Sequence, residues 1–274
     1  AFQYFTFYDA LQLGKRAVRE MVDVIFDLDD ALVDLQKVSD LSGQSLKEFT
    51  AQAYNLGSQI SKSGSEVIRA STAFAKAGYS DEQLLGLSEA ALKLTSIGDN
   101  LTDTTESAET LISVLKGFGK DTSEVTSIMD SINNVSNNAA VNFSDVTMAL
   151  QRMAGVMHAS NITMQQSVGM FTAINEVLRN SEMTSTSLNS ISMRMRGLEE
   201  DGSAIDGLVP KLQEMYKTIA DIDMTDASGQ LKNMYEIVGE LAPKWDTLTQ
   251  NQKSYLAQES AGLSNSPKYK ATYI

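Results

Sequence analysis

Cysteine is missing from all 274 residues, which excludes disulfides and thiolate metal sites. That absence fits a cytosolic or virion protein and many secreted ones as well. Proline is scarce, with 3 residues, while Leu, Ala, Met and Ser abound; the balance points to helix. Long apolar runs are absent too, and nothing reaches the ~18–20 residues that a membrane span needs. The nearest stretch, MVDVIFDLDDALVDL, carries Asp23, Asp27, Asp29, Asp30 and Asp34. Positive charge is in short supply: the formal net charge is −13, and Lys and Arg are scattered. Phosphate backbones and anionic lipids call for a basic surface, so specific binding of nucleic acid or of an anionic membrane is disfavoured. The first eight residues, AFQYFTFY, are aromatic but lack the charged start and small-residue cleavage site of a secretory signal. The chain opens on Ala rather than Met, and we expect it to be a segment of something longer.

What is present is helical punctuation. In AKAGYSDEQLLGLSEAALKL, residues 75–94, Gly78 suits the left-handed position that stops a helix. Ser80 with Gln83 then makes a capping box for the next one. Ser45 with Glu48, Ser63 with Glu66, Asp121 with Glu124, Thr163 with Gln166 and Thr249 with Gln252 fit the same pattern. Ser144 and Asp145 open another helix, and Gly119 is a second C-terminal cap. Apolar residues recur at helical spacing: Leu84, Leu87, Ala91, Leu94; Leu111, Leu115, Phe118; Val146, Leu150, Met153, Met157; and Met164, Val168, Phe171, Ile174, Leu178. Sustained period-two alternation, the mark of a half-buried strand, is lacking. The fold class is therefore all-α, with about ten to twelve helices of ~10–14 residues.

The expected organisation begins with residues 1–40, an aromatic segment and one longer amphipathic helix over 10–38. Val18, Met21, Val22, Ile25, Leu28, Leu32 and Leu35 lie along one side of that helix. Residues 41–199 read as a series of short helices with tight Gly- and Ser-capped joints. A Gly- and Asp-rich boundary follows at 200–208, EDGSAIDGL. Residues 200–262 then form a C-terminal helical module, with a helix starting near Pro210 and others around 231–242 and 250–261. Residues 263–274, with Pro267, read as an irregular end.

Reactive chemistry is hard to find. His158, the one histidine, sits near a helix end and reads as polar or capping, because metal binding and acid–base work need convergent partners. DLDDAL at 27–32 and DIDMTD at 221–226 lack the Gly and Glu of a calcium loop and read as solvated faces or helix starts. GKR at 14–16 and LKGFGKDTS at 115–123 lack phosphate-loop spacing and a preceding strand. No G-x-S-x-G elbow exists, and no serine triad can be assembled. No catalytic, cofactor-binding or metal-ligating residue is nominated, and no cofactor. The 13 methionines include a crowd at Met148, Met153, Met157, Met164, Met170, Met183, Met193 and Met195. They fill a helical core in the plainer reading and form an adaptable partner surface in the other. Trp245 is expected to anchor the last two helices. The aromatic start is expected to dock on another copy or another part of a longer chain, with a membrane interface as the weaker reading.

Several segments, in order, resemble the phage tail tape measure proteins. ALVDLQKVSDLSGQSLKEFTAQAYNLGSQI is similar to the region leading into that family's core domain, and SGSEVIRASTAFAKAGYSDEQLLGLSEAALKL to the core's opening. VNFSDVTMALQRMAGVMHASNITMQQSVGMFTAINEV resembles its central helical hairpin, and LNSISMRMRGLE the part that follows. DASGQLKNMYEIVGELAPKWDTLTQNQKSYLAQESAG is similar to the module after the core. The resemblance covers most of residues 31–262, with 41–199 as the core helical domain, and it carries over no active-site residue. It implies a structural virion protein, not an enzyme, that occupies the tail lumen, sets tail length during assembly and leaves ahead of the DNA. It implies as partners the tail tube protein, distal tail or baseplate hub proteins and tail assembly chaperones. It also implies self-association as a trimer or hexamer and contact with the host envelope during ejection, and it implies location in the tail lumen or tip and, during assembly, in the host cytoplasm. The short joints and the lack of a sustained heptad run favour a compact region over a ruler. The competing reading from the residues alone is a helical scaffold or secreted helical bundle unrelated to tails.

Overall fold

The computed structural model describes residue 23 and residues 25–98 and 103–273. The aromatic start, the front of the long first helix and GKR at 14–16 lie outside the described residues. Among those described the protein is all-α, with twelve helices and no strand. It divides into two compact units. The first contains α1 (25–36), α2 (Gly43–Gln59), α3 (Gly64–Lys76), α4 (Asp81–Ile97) and the opening of α5 (Thr104–Gly117). The second takes the rest of α5, then α6 (Val125–Asn138), α7 (Phe143–Ala159), α8 (Met164–Leu178) and α9 (Ser181–Met195). It continues with α10 (Leu208–Ala220), α11 (Met234–Leu241), a 3-10 helix (Ala242–Thr247) and α12 (Gln250–Ala271).

One joint recurs four times. A residue with positive φ ends a helix: Ser61 (57°), Gly78 (86°), Gly119 (61°) and Asn161 (54°). The next residue's N–H reaches back to a carbonyl five positions earlier: Lys62 to Gly57 (2.8 Å), Tyr79 to Phe74 (3.2 Å), Lys120 to Leu115 (2.7 Å) and Ile162 to Met157 (2.9 Å). This is the Schellman closure, which satisfies carbonyls orphaned at a helix end. One residue later stands the cap of the following helix: Ser63, Ser80, Asp121 or Thr163. Its N–H donates to Glu66 (2.9 Å), Gln83 (3.0 Å), Glu124 (3.3 Å) or Gln166 (2.9 Å). Stop and start are thus compressed into three residues, with the backbone groups of both ends satisfied.

In the first unit α2, α3 and α4 pack in succession. Phe49, Ala53, Val67, Ile68, Phe74, Leu84, Leu87, Ala91 and Leu94 are buried, as the stripes predict for α4. Small residues set the spacing. The hydroxyls of Ser71 and Ser88, both fully buried, share a 2.7 Å hydrogen bond between α3 and α4. A methyl group on Gly64 would lie 2.7 Å from the Tyr54 ring.

In the second unit α9 is central, packed on α7, α8, α11 and α12. Its buried side includes Thr184, Ser185, Ser187 and Ser192 beside Leu188, Ile191 and Met195. Three of these hydroxyls are satisfied locally, Thr184 donating to the Asn180 carbonyl, Ser185 to Ser181 and Ser187 to Met183, each at 2.7–2.8 Å, while Ser192 donates across to the Ser160 hydroxyl. Bonded this way, a hydroxyl can be buried at little cost. The stripes of α7 (Val146, Leu150, Met153, Met157) and α8 (Met164, Val168, Phe171, Ile174) are buried as predicted, while Leu178 is half-buried.

Four expectations need correction. Helix α2 begins at Gly43, ahead of the Ser45–Glu48 box, because the Ser42 N–H donates to the Ser45 hydroxyl (3.1 Å); Glu48 instead accepts from the Gln44 amide (2.9 Å). Helix α7 opens at Phe143 after Asn142, and Ser144 is buried inside it. The boundary at 200–208 is a turn within the second unit, tied by Ile205 N–H to the Gly197 carbonyl (2.7 Å); the division between units falls within α5 instead. Residues 263–274 are not irregular: helix continues to Ala271, interrupted only at Gly262 (φ 73°, ψ 168°). Pro267 lies inside that second segment.

The last segment closes on a buried hydroxyl chain. Tyr216 of α10 bonds Ser260 (2.8 Å) and Tyr269 (2.5 Å), and Tyr273 donates to Tyr269 (2.8 Å). Tyr273 also stacks on Trp245, centroids 4.2 Å apart, so Trp245 ties the 3-10 helix to the end of α12. Burial is the main cause pushing all three phenols well above their ordinary range. Lys253, whose ammonium lies 5.5 Å from the Trp245 ring centroid, is the charged group facing this cluster.

Two predictions follow from this packing. On α5 of the second unit, a methyl on Gly117 would collide with the Ala154 side chain of α7. Gly117→Ala should therefore lose about 1–3 kcal/mol in urea denaturation through overpacking. Gly86→Ala on α4, with no atom within 4 Å of the new methyl, should gain about 0.5–1 kcal/mol by helix propensity. The tyrosines give a pH dependence. Phenols raised in the fold above an unfolded value of about 10 leave stability intact below that pH and remove it as pH climbs through the folded values. Absorbance titration should show Tyr216, Tyr269 and Tyr273 ionising late, together with the loss of their part of the fold; early ionisation of all nine tyrosines with helicity retained would contradict the burial.

Candidate interaction surface

Among the described residues, several of the groups singled out for chemistry have structural partners. Asp27 accepts hydrogen bonds from Ser65 and Arg69, which hold its carboxyl below the usual range, and it makes an ion pair with Arg69 at 2.5 Å. Lys217 bridges Asp221 (2.8 Å) and Asp223 (3.1 Å). Asp226 caps its own turn, accepting from the N–H groups of Ser228 (2.8 Å) and Gln230 (2.9 Å). KGFGKDTS is a helix end followed by a cap, as read. His158 lies in the last turn of α7, and its Nε2 would stand 3.3 Å from a methyl on Gly119. Among the described residues no group of three His, Cys, Asp or Glu side chains could hold a metal, and no helix is long and apolar enough to cross a membrane.

What the surface offers instead is exposed apolar side chains. The methionine crowd splits: Met153, Met157, Met164, Met170 and Met195 are core, whereas Met148 and Met183 are 42% and 45% exposed. Met148 of α7 lines a shallow cleft of about 310 Å³ with Asp145, Arg152, Arg179, Ser181 and Glu182, where α8 hands over to α9. Arg179 ends α8 in the left-handed conformation (φ 52°), and its guanidinium donates to the Ala140 carbonyl (2.8 Å). Arg152 pairs with Glu182 (2.8 Å), and the Ser181 hydroxyl donates to Asp145 (3.0 Å). With its charges already matched, this cleft makes no demand for an ionic ligand; its free resource is the adaptable thioether of Met148.

In the first unit the corresponding feature is α1. Ala31 and Leu35 are buried, but Ile25 and Phe26 are 64% and 65% exposed and Val33 is 42% exposed. The stripe read from the sequence contains Ile25 and omits Phe26 and Val33. On a 100° wheel Phe26 and Val33 lie together on the side opposite buried Ala31 and Leu35, separated from Ile25 by Asp29, while Asp27, Asp30 and Asp34 share a flank. The shared place of Phe26 and Val33 on the wheel was the available signal.

Comparison with known proteins points to one group. A tape measure protein of Pneumococcus phage Dp-1 is 19% identical over 220 residues, which is 80% of this chain and 18% of that protein. The chain thus spans less than a fifth of that relative's length. No solved structure matches it significantly. Phage-related minor tail proteins match across residues 50–262, from within α2 to the break in α12. This all-α chain, matched across residues 50–262, belongs to the phage-related minor tail protein family.

Proposed function

We propose that this protein is the compact, N-terminal-side part of a tape measure protein, a non-catalytic component of the tail. In this reading it occupies the tail lumen, contributes to setting tail length and leaves the tube ahead of the genome. The observation that carries it is the tape measure relative aligned over 80% of this chain, within a family match from 50 to 262. Physical properties support it. A net charge of −13 gives DNA no electrostatic hold on a protein that must vacate its path. Four tight joints fold successive helices back on one another within each unit, which suits docking at one end of a tail. Tube protein, distal tail or hub proteins and assembly chaperones are the proposed partners. Self-association as a trimer or hexamer, and contact with the host envelope during ejection, complete the proposal.

Deleting residues 41–199 from the phage gene should impair tail initiation or infectivity more than it shortens tails; proportionally shorter, fully infectious tails would refute the docking role. The exposed side of α1 bears on self-association. Ile25→Asp with Phe26→Asp should lower the oligomer fraction in sedimentation velocity while leaving the melting temperature within about 2 °C, since solvent-exposed substitutions change stability by only about 0.5 kcal/mol.

A further inference from the structure

We infer that residues 263–273 form a strap, hinged at Gly262, that docks and undocks as one unit over an aromatic seat made by Tyr216 and Trp245. The hinge is conformational. Gly262 adopts φ 73°, ψ 168°, while the side chain nearest a methyl placed there is Arg194, 3.7 Å away. Space would admit a side chain; the backbone conformation is what requires glycine. Leu263, the residue just past the hinge, is 78% exposed and takes no part in docking.

The strap is held at one place. Of its side chains only Tyr269 and Ala271 are buried. Tyr269 shares its hydroxyl with Tyr216 (2.5 Å) and accepts from Tyr273 (2.8 Å), whose ring lies on Trp245. Lys270 adds a bond to the Ser254 hydroxyl (3.1 Å). Little aliphatic area is buried by the strap itself, so opening costs less than unfolding the second unit. Tyr269 and Tyr273 lie four residues apart at the end of one helix and leave together, so the Tyr216–Tyr269 bond and the Trp245–Tyr273 stack break in one step. With Tyr269 withdrawn, water reaches its hydroxyl while Tyr216 keeps its bond to Ser260; with Tyr269 half-withdrawn, its hydroxyl is held away from both Tyr216 and water, the costliest arrangement. Residue-by-residue fraying of a helix would instead grade smoothly along 264–273.

The test uses the whole chain, in which Trp245 is the only tryptophan. Hydrogen exchange read by mass spectrometry should show residues 264–273 exchanging together, about tenfold or more faster than α10, with a step at Gly262. Tyr269→Phe should accelerate the strap a further tenfold or so, the loss expected when buried hydroxyls lose a partner, with α10 and α3 unchanged. Trp245 fluorescence should then change at lower urea than far-UV circular dichroism. Tyr273→Phe keeps the ring stack, removes one hydroxyl and should give the same pattern more weakly, which keeps the test available if Tyr269→Phe does not fold. Strap amides that exchange in step with α10 in the wild type and the variants, or that grade without a step towards 273, would overturn the proposal.

Discussion

Satisfaction of backbone groups where one helix stops and the next begins is the constraint on which this structure rests. A short helix leaves about four N–H and four C=O groups unpaired at its ends, so an array of short helices multiplies that liability. Here the left-handed residue, the back-reaching N–H and the box of the next helix resolve both ends within three residues, at Ser61, Gly78, Gly119 and Asn161. With the turns fixed, successive apolar stripes face one another without long connections. Close packing then falls to small side chains, as where Ser71 meets Ser88 and where Gly117 lies against Ala154.

These joints were legible because they are local. A cap and its partner three residues on lie within one short window, and most of those read from the sequence are found; glycine marks the stop at Gly78 and Gly119, whereas Ser61 and Asn161 give no such mark. The all-α class followed from the same periodicity. Helix α9 shows where the method ends: its buried side is mostly Ser and Thr, so no apolar stripe announces the central element of the second unit, and its burial depends on hydroxyls bonded to their own helix. The division inside α5 is likewise invisible, since helix continuity is written locally and unit membership is not. Pro267 points to an irregular end, yet helix runs through it, and the single break falls earlier, at Gly262.

The surface was half legible. Residue type and spacing identified Ile25 as part of an apolar stripe, and the methionine crowd as either core or contact surface. Burial then sorted Met148 and Met183 from their neighbours. No local pattern could couple Tyr216 to Tyr269 across fifty residues, because a buried hydroxyl pair is specified only by the folded path. The functional reading came from the order of several weak segments, and membership of the phage minor tail family agrees with it.

The serine-lined side of α9 carries a mechanical consequence. Where hydroxyls turn back to their own helix, small side chains present a low-relief face. The register of α9 on α7 therefore rests on Leu188, Ile191 and Met195 and on polar pins at both ends: Ser181 to Asp145 (3.0 Å), Arg152 with Glu182 (2.8 Å), the Asn189 amide to the Arg152 carbonyl (3.0 Å) and Ser192 to Ser160 (3.0 Å). A one-residue slip would break all four pins at once, so the register is set by polar geometry as much as by apolar fit.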